Sequence, residues 1–75
     1  MKRIGIVGSG RMALRRGKAL LDTGEAEIVA VSSRNIEHAK RAAQKLGVER
    51  YFDDYHKMAG LQLDALLIEV PHELR

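Results

Sequence analysis

The chain has 75 residues, 45% of them apolar and 31% charged, with no cysteine and a formal net charge of +3 at pH 7. That length allows one small domain, which buries about 60% of its unfolded surface. The balance excludes a disordered or low-complexity chain, and the missing cysteines exclude disulfides and thiolate metal sites. The 13 Lys and Arg residues are scattered among few aromatics, a pattern that suits an anionic small ligand and falls short of a nucleic-acid interface.

The opening "MKRIGIVG" breaks its apolar run at glycine and serine, and Arg11, Arg15 and Arg16 follow. Neither a signal peptide nor a membrane span is expected, and the absence of cysteine agrees with a cytoplasmic location. Residues 3–7 read as a first strand ending at Gly8. From Met12 to Asp22 the period becomes helical, with Ala13, Gly17, Leu20 and Leu21 on one face, and "DTGE" forms a turn in which Gly24 stops the helix. "AEIVAVSS" at 26–33 is nearly continuous in its hydrophobicity, as a parallel strand covered on both faces would be.

Asn35 is the expected N-cap of a second helix that carries Ile36, Ala39, Ala42, Ala43 and Leu46 inward and stops at Gly47. "VERYF" at 48–52 gives a third strand. Asp53 or Asp54 caps a brief helical stretch through Met58, with Gly60 ending it. "LDALLIEV" at 63–70 gives a fourth strand, stopped by Pro71. The order β-α-β-α-β-α-β predicts an α/β fold, a Rossmann-like, partial doubly wound parallel sheet with strand order 3-2-1-4.

Gly8, Gly10 and Ala13 form G-x-G-x-x-A where the first strand turns into the first helix. Gly8 allows the tight turn, Gly10 lets backbone approach a pyrophosphate, and Ala13 keeps the helix close to the sheet. The free N–H groups of the helix start then face the phosphates. A tight turn with no ligand is the competing reading. At the end of the second strand, a fold that prefers NAD usually carries Asp or Glu. Here the residues are "SSR" at 32–34. Ser33 and Arg34 offer a hydroxyl and a guanidinium fork to a 2′-phosphate, so the chain leans to NADP(H) over NAD(H). Otherwise Arg34 is a solvated loop arginine. His38, one helical turn on, flanks the adenine or the 2′-phosphate in this reading, and is a plain surface residue in the other.

With "GSGRMA", "KAL", "VAVSSRNIEHA", "YFDDY" and "LLIEVPHEL" in place, the chain resembles the N-terminal part of the glucose–fructose oxidoreductase / inositol dehydrogenase (Gfo/Idh/MocA) family over essentially its whole length. The resemblance implies hydride transfer between a nicotinamide cofactor and a carbinol or carbonyl carbon, mostly on sugars and cyclitols. It implies that Gly8, Ser9, Gly10, Arg11, Met12 and Ala13 hold the pyrophosphate. Ser33 and Arg34 would hold the adenosine ribose and its 2′-phosphate, and backbone around Val70, Pro71 and His72 would lie beside the cofactor's ribose.

The chain departs from the family pattern in three places. The family's E-K-P motif and large substrate domain are missing, and with them the catalytic lysine and the acid/base residues. Residues 1–75 are therefore expected to be a dinucleotide-binding fragment, inactive alone. Glu69 stands where the family has a small residue, and its carboxylate opposes phosphate binding unless it pairs with Arg11 or Arg34. Arg75, in place of a histidine, is the end that tryptic-type cleavage would leave.

The histidines at 38, 56 and 72 have no metal-ligand spacing, so no metal site is expected. The acids of "FDDY" read as a helix cap, and Arg15, Arg16 and Lys18 as a solvated helix face. Strand 63–70 would be a bare edge, which invites a homo-oligomer through that edge. A non-enzymatic nucleotide-binding sensor or interaction module uses the same fold, and fold does not separate the two. A SAM-binding fold is a third reading, weakened by the lack of an acid in "SSR".

Overall fold

Ile4 and Ile6 alternate with Gly5 along β1 (Lys2–Val7), and this alternation divides the protein into two layers around one sheet. The structure is a computed structural model that describes residues 1–8 and 10–69. After β1 come α1 (Arg11–Asp22), β2 (Ala26–Ser32), α2 (Ile36–Leu46), β3 (Arg50–Phe52), a 3-10 turn (Tyr55–Met58) and β4 (Ala65–Ile68). The four strands are parallel in the order β3-β2-β1-β4. This is the expected Rossmann-like α/β arrangement, and the predicted strand order holds.

One layer holds both helices. Ile4 and Ile6 pack there with Ala13 of α1, Ile28 and Val31 of β2, and Ala42, Ala43 and Leu46 of α2. Gly17 brings α1 down onto this layer: a Cβ at that position would stand 3.0 Å from Ile6 Cδ1 and 3.2 Å from both Leu46 methyls. The opposite layer is thin. Above Gly5 lie Met58, Leu63 and Leu66, and the chain from β3 to β4 crosses this face.

The expected third helical element is a single 3-10 turn. Asp54 caps it, and its bonds run from Lys57 N–H to Asp54 O (3.0 Å) and from Ala59 N–H to His56 O (3.1 Å). Four residues are too few to establish an α-helix, whose nucleation is costly. Because so little covers this face, Leu66 and Ile68 remain 47% and 60% exposed.

The pairing of β1 with β2 contains an irregularity. Ile4 lies opposite Ile28 but Gly5 lies opposite Ala30, so Val29 is an extra residue. In consequence Ile28 and Val31 both face the helices, while Ala30 and Ser32 turn to the other layer with Gly5 and Val7. Arg3 fixes the start of β4. Its N–H donates to Asp64 Oδ2 (2.7 Å) and its Nε to the Gln62 carbonyl (2.6 Å), and Asp64 N–H returns a bond to the Arg3 carbonyl (2.7 Å).

Asn35 caps α2 as expected, and Gly47 ends it in the left-handed region. Ile36, expected inward, is instead exposed. It opens α2 beyond the end of β2, where the first helical turn overhangs the sheet. The outer strands are shorter than predicted, β3 spanning three residues and β4 four. Val70 and Pro71, read as the end of the fourth strand, lie outside the described residues. Among the described residues, no helix is long and apolar enough to cross a membrane.

Candidate functional site

The C-terminal ends of β2, β1 and β4 lie side by side, with Ser32 opposite Val7 and Val7 opposite Ile68. Order 3-2-1-4 makes the β1–β4 junction the place where the chain reverses its direction of winding, the usual ligand crevice of an open α/β sheet. Gly8 leaves β1 at this point. Its N–H donates to the Ser32 carbonyl (2.8 Å), and the next bond across the junction runs from Glu69 N–H to the Val7 carbonyl (2.8 Å). Gly8 has φ +128°, and a Cβ there would collide with the Glu69 carbonyl oxygen. The tight turn needs glycine for both reasons.

Gly10 is the N-cap of α1, in extended backbone, with φ −75° and ψ 179°. It brings no capping side chain, and the first helical turn contains no acidic residue. A Cβ on Gly10 would meet none of the described residues within 4 Å. Gly10 is thus exposed at a helix start whose N–H groups and dipole favour an anion. The first intrahelical bond runs from Leu14 N–H to Gly10 O (3.1 Å). Ala13 is buried against the sheet, whereas Arg11 and Met12 are exposed. A pyrophosphate fits this arrangement of a bare glycine, free donors and no opposing acid in the first turn.

Ser33 and Arg34 form the next strand–helix junction, one strand across. Ser33 N–H donates to the Phe52 carbonyl (3.1 Å), which ties the turn to β3. Arg34 is exposed and, among the described residues, forms no ion pair. Asn35 Oδ1 accepts from Glu37 N–H (2.9 Å) and His38 N–H (3.4 Å), which puts His38 in the first turn of α2, exposed. The Gly8–Ser32 bond thus joins the two junctions, with the glycine turn at one and Ser33, Arg34 and His38 at the other. Ser9, Val70, Pro71 and His72 lie outside the described residues, as does Arg75.

Ser32 is 1% exposed, and its hydroxyl has no hydrogen-bond partner among the described residues. A buried polar atom of this kind costs stability. It sits directly behind the glycine turn, on the thinly covered face of the sheet.

The sequence leaves the partner of Glu69 open. Among the described residues it pairs with neither Arg11 nor Arg34; its Oε1 lies 2.6 Å from Arg16 Nε. Arg16, read from sequence as part of a solvated face, is the residue that the sequence reading missed. It borders the stripe formed by Ala13 and Gly17, but which strand that border meets depends on the order of strands in the sheet. Among the described residues no cluster of His, Asp and Glu is placed to hold a metal ion. A shallow hollow lined by Met1, Lys2, Leu20, Thr23 and Glu25 lies at the opposite end of the strands and contains none of the candidate residues.

Comparison with known proteins agrees with this geometry. The sequence profile of the Gfo/Idh/MocA oxidoreductase family, described as an NAD-binding Rossmann fold, matches residues 2–75. An oxidoreductase of Rhizobium meliloti, ORF334, is 30% identical over 74 residues, which are 96% of this chain and 22% of that protein. The WlbA dehydrogenase of Bordetella pertussis, solved with NADH and UDP-GlcNAcA, superposes with a TM-score of 0.82 at 31% identity, covering 96% of this chain and 22% of the dehydrogenase. The scyllo-inositol dehydrogenase of Lactobacillus casei, solved with NAD(H) and scyllo-inositol, gives a TM-score of 0.80 at 30% identity, covering 95% of this chain and 22% of its own. The chain thus spans about a fifth of the length of the relatives it matches.

Proposed function

The chain belongs to the Gfo/Idh/MocA oxidoreductase family as an NAD-binding Rossmann domain, and from that premise we propose that it is the NADP(H)-binding part of an oxidoreductase acting on a sugar- or cyclitol-like alcohol or carbonyl. Residues 1–75 form the dinucleotide-binding domain in this reading. The groups that hold the substrate and move its proton belong to a longer polypeptide. The observation that carries the reading is the exposed Gly10 N-cap, which brings no capping side chain of its own and where a Cβ would meet none of the described residues within 4 Å. Bound there, the dinucleotide supplies a nicotinamide that gives or takes a hydride.

The chain's own residues bind and orient. Gly8 and Gly10 would keep side chains away from the pyrophosphate, and Ser9, Arg11, Met12 and Ala13 would hold it by backbone N–H groups, as the family resemblance implies. Ser33 and Arg34 would receive the adenosine ribose and its 2′-phosphate, with His38 at their flank. The same resemblance assigns the backbone around Val70, Pro71 and His72 to the cofactor's ribose. The preference for NADP(H) over NAD(H) rests on a guanidinium where an acid would repel a 2′-phosphate. The two solved relatives described above hold NADH or NAD(H), so the preference rests on the "SSR" of this chain alone.

The test is titration of the full chain encoded by the gene, and of its Arg34→Ala variant, with NADPH and NADH by fluorescence. NADPH binding tighter than NADH binding, with the difference lost in the variant, is the expected result. Equal affinities that Arg34→Ala leaves unchanged reject the NADP(H) preference, and no binding of either rejects the cofactor role. A cytoplasmic location completes the reading, as does a homo-oligomer of residues 1–75 through the outer edge of β4, the edge that further strands of a longer polypeptide would cover. Light scattering of residues 1–75 measures that assembly.

A further inference from the structure

We propose that Arg16 is a positioning residue for the dinucleotide: through its ion pair with Glu69 it holds that carboxylate aside and cancels its charge at the mouth of the crevice. The proposal rests on the cofactor reading above.

Glu69 cannot withdraw from the glycine turn. Its N–H is bonded to the Val7 carbonyl, and its own carbonyl oxygen lies where a Cβ of Gly8 would stand. The backbone thus fixes a carboxylate at the β1–β4 junction, and its side chain is only 24% exposed. The two phosphates of a dinucleotide over the start of α1 are negatively charged. A carboxylate beside the glycine turn is incompletely screened from them by salt if it stands within the Debye length of about 8–10 Å. Left unpaired, Glu69 would therefore oppose the ligand that the rest of the crevice favours.

Arg16 provides the remedy from α1, with Nε 2.6 Å from Oε1. Among the described residues, each is the other's sole ionic partner. Arg16 lies more than a turn below the helix start, where Glu69 is its ionic partner among the described residues. The pairing also spares Arg11 and Arg34, which among the described residues form no ion pair and keep their charges for the ligand. Arg16 neutralises the carboxylate while Arg11 and Arg34 remain to meet the dinucleotide.

The experiment is a double-mutant cycle in the full chain: Arg16→Gln, Glu69→Gln and the double variant, each titrated with NADPH and NADH by fluorescence and melted by circular dichroism. Arg16→Gln is expected to weaken binding about tenfold, as an uncompensated charge near phosphates does. Glu69→Gln is expected to bind at least as tightly as wild type, and the double variant to return to the Glu69→Gln level. A purely structural tie would lower melting temperatures and leave affinity unchanged, which overturns the proposal. A double variant as weak as Arg16→Gln overturns it also, because Arg16 would then act on the phosphates directly. Weakened binding by Glu69→Gln assigns the carboxylate to the ligand and overturns it too. Should Arg16→Gln alone fail to fold, Arg16→Met, which keeps the apolar stem without the charge, takes its place in the cycle with the same outcomes. A wild-type chain that binds neither dinucleotide removes the cofactor reading and this inference together, whereas a wild type that binds without the expected cycle removes this inference alone.

Discussion

The carbonyl oxygen of Glu69 fills the space in which a side chain on residue 8 would stand, so the glycine turn and the end of β4 are locked together. A side chain at Gly10, two residues on, would meet none of the described residues within 4 Å. The fold itself therefore requires glycine at position 8 and does not require it at position 10. Gly8→Ala combines a positive φ with a backbone collision and is expected to cost at least about 3 kcal/mol, enough to unfold a small domain. Gly10→Ala is expected to cost no more than about 1 kcal/mol as a changed N-cap. It is also expected to weaken dinucleotide binding on the order of tenfold, because its methyl occupies the approach. Urea denaturation and cofactor titration of both variants check the contrast, and a Gly10→Ala chain that binds normally rejects it.

Ser32 buries a hydroxyl without a partner among the described residues. Ser32→Ala removes the unsatisfied group and leaves little space behind, so it is expected to stabilise the protein by about 1 kcal/mol. The readout is the urea midpoint at unchanged slope. A loss of similar size would show that the hydroxyl has a partner, such as a bound water or ligand group, in solution.

Asn35 joins the β2 end to α2 by accepting from two N–H groups of the first helical turn. Asn35→Ala is expected to lower stability by about 1 kcal/mol, and Asn35→Asp to retain it, since a carboxylate both caps and complements the helix dipole. Thermal melts of the two variants decide. Equal losses in both would mean that the cap contributes through something other than its acceptor oxygen.

The turn after β3 carries a pH dependence of its own. The bond from Lys57 Nζ to Asp53 Oδ1 (2.7 Å) and the charge of that ammonium hold the Asp53 carboxyl below the ordinary aspartate value. Asp54 is lowered first by the backbone N–H of His56 and then by the His56 ring. Lys57 is raised by the same bond to Asp53. A depressed carboxyl stabilises the fold fully above its unfolded pKa, and the contribution is lost as pH falls through the folded value. The acid limb therefore lies below about pH 4. The raised lysine acts with the opposite sign: its contribution is present below its unfolded pKa and is lost in the alkaline range, as pH rises through the folded value. Carboxyl NMR titration is expected to give midpoints for both aspartates below those of a peptide covering residues 51–60, and coincident midpoints would reject the capping role.

Much of this protein is decided by order along the chain. Alternating strands and helices, the G-x-G-x-x-A turn, the Asn35 cap and the Gly47 stop are local signals, set by periodicity, φ preference and short-range hydrogen bonds, and each is visible without a fold. The same holds for the parallel sheet and its 3-2-1-4 order, because right-handed crossovers leave few alternatives. Contacts between distant residues are another matter. The extra residue at Val29 reverses the faces of Ala30 and Ser32, and no pattern in "AEIVAVSS" announces it, since both faces of that strand are apolar. The third helical element is a 3-10 turn, four residues being too few to offset the cost of nucleating an α-helix. Arg16 meets Glu69 because strand order brings β4 beside α1 at that height, a relationship between residues 53 positions apart that neither one encodes alone. Sequence by itself determined the elements and the glycine turn; the tertiary structure decided which charge meets which, because electrostatic pairing depends on distance in space and not on distance along the chain.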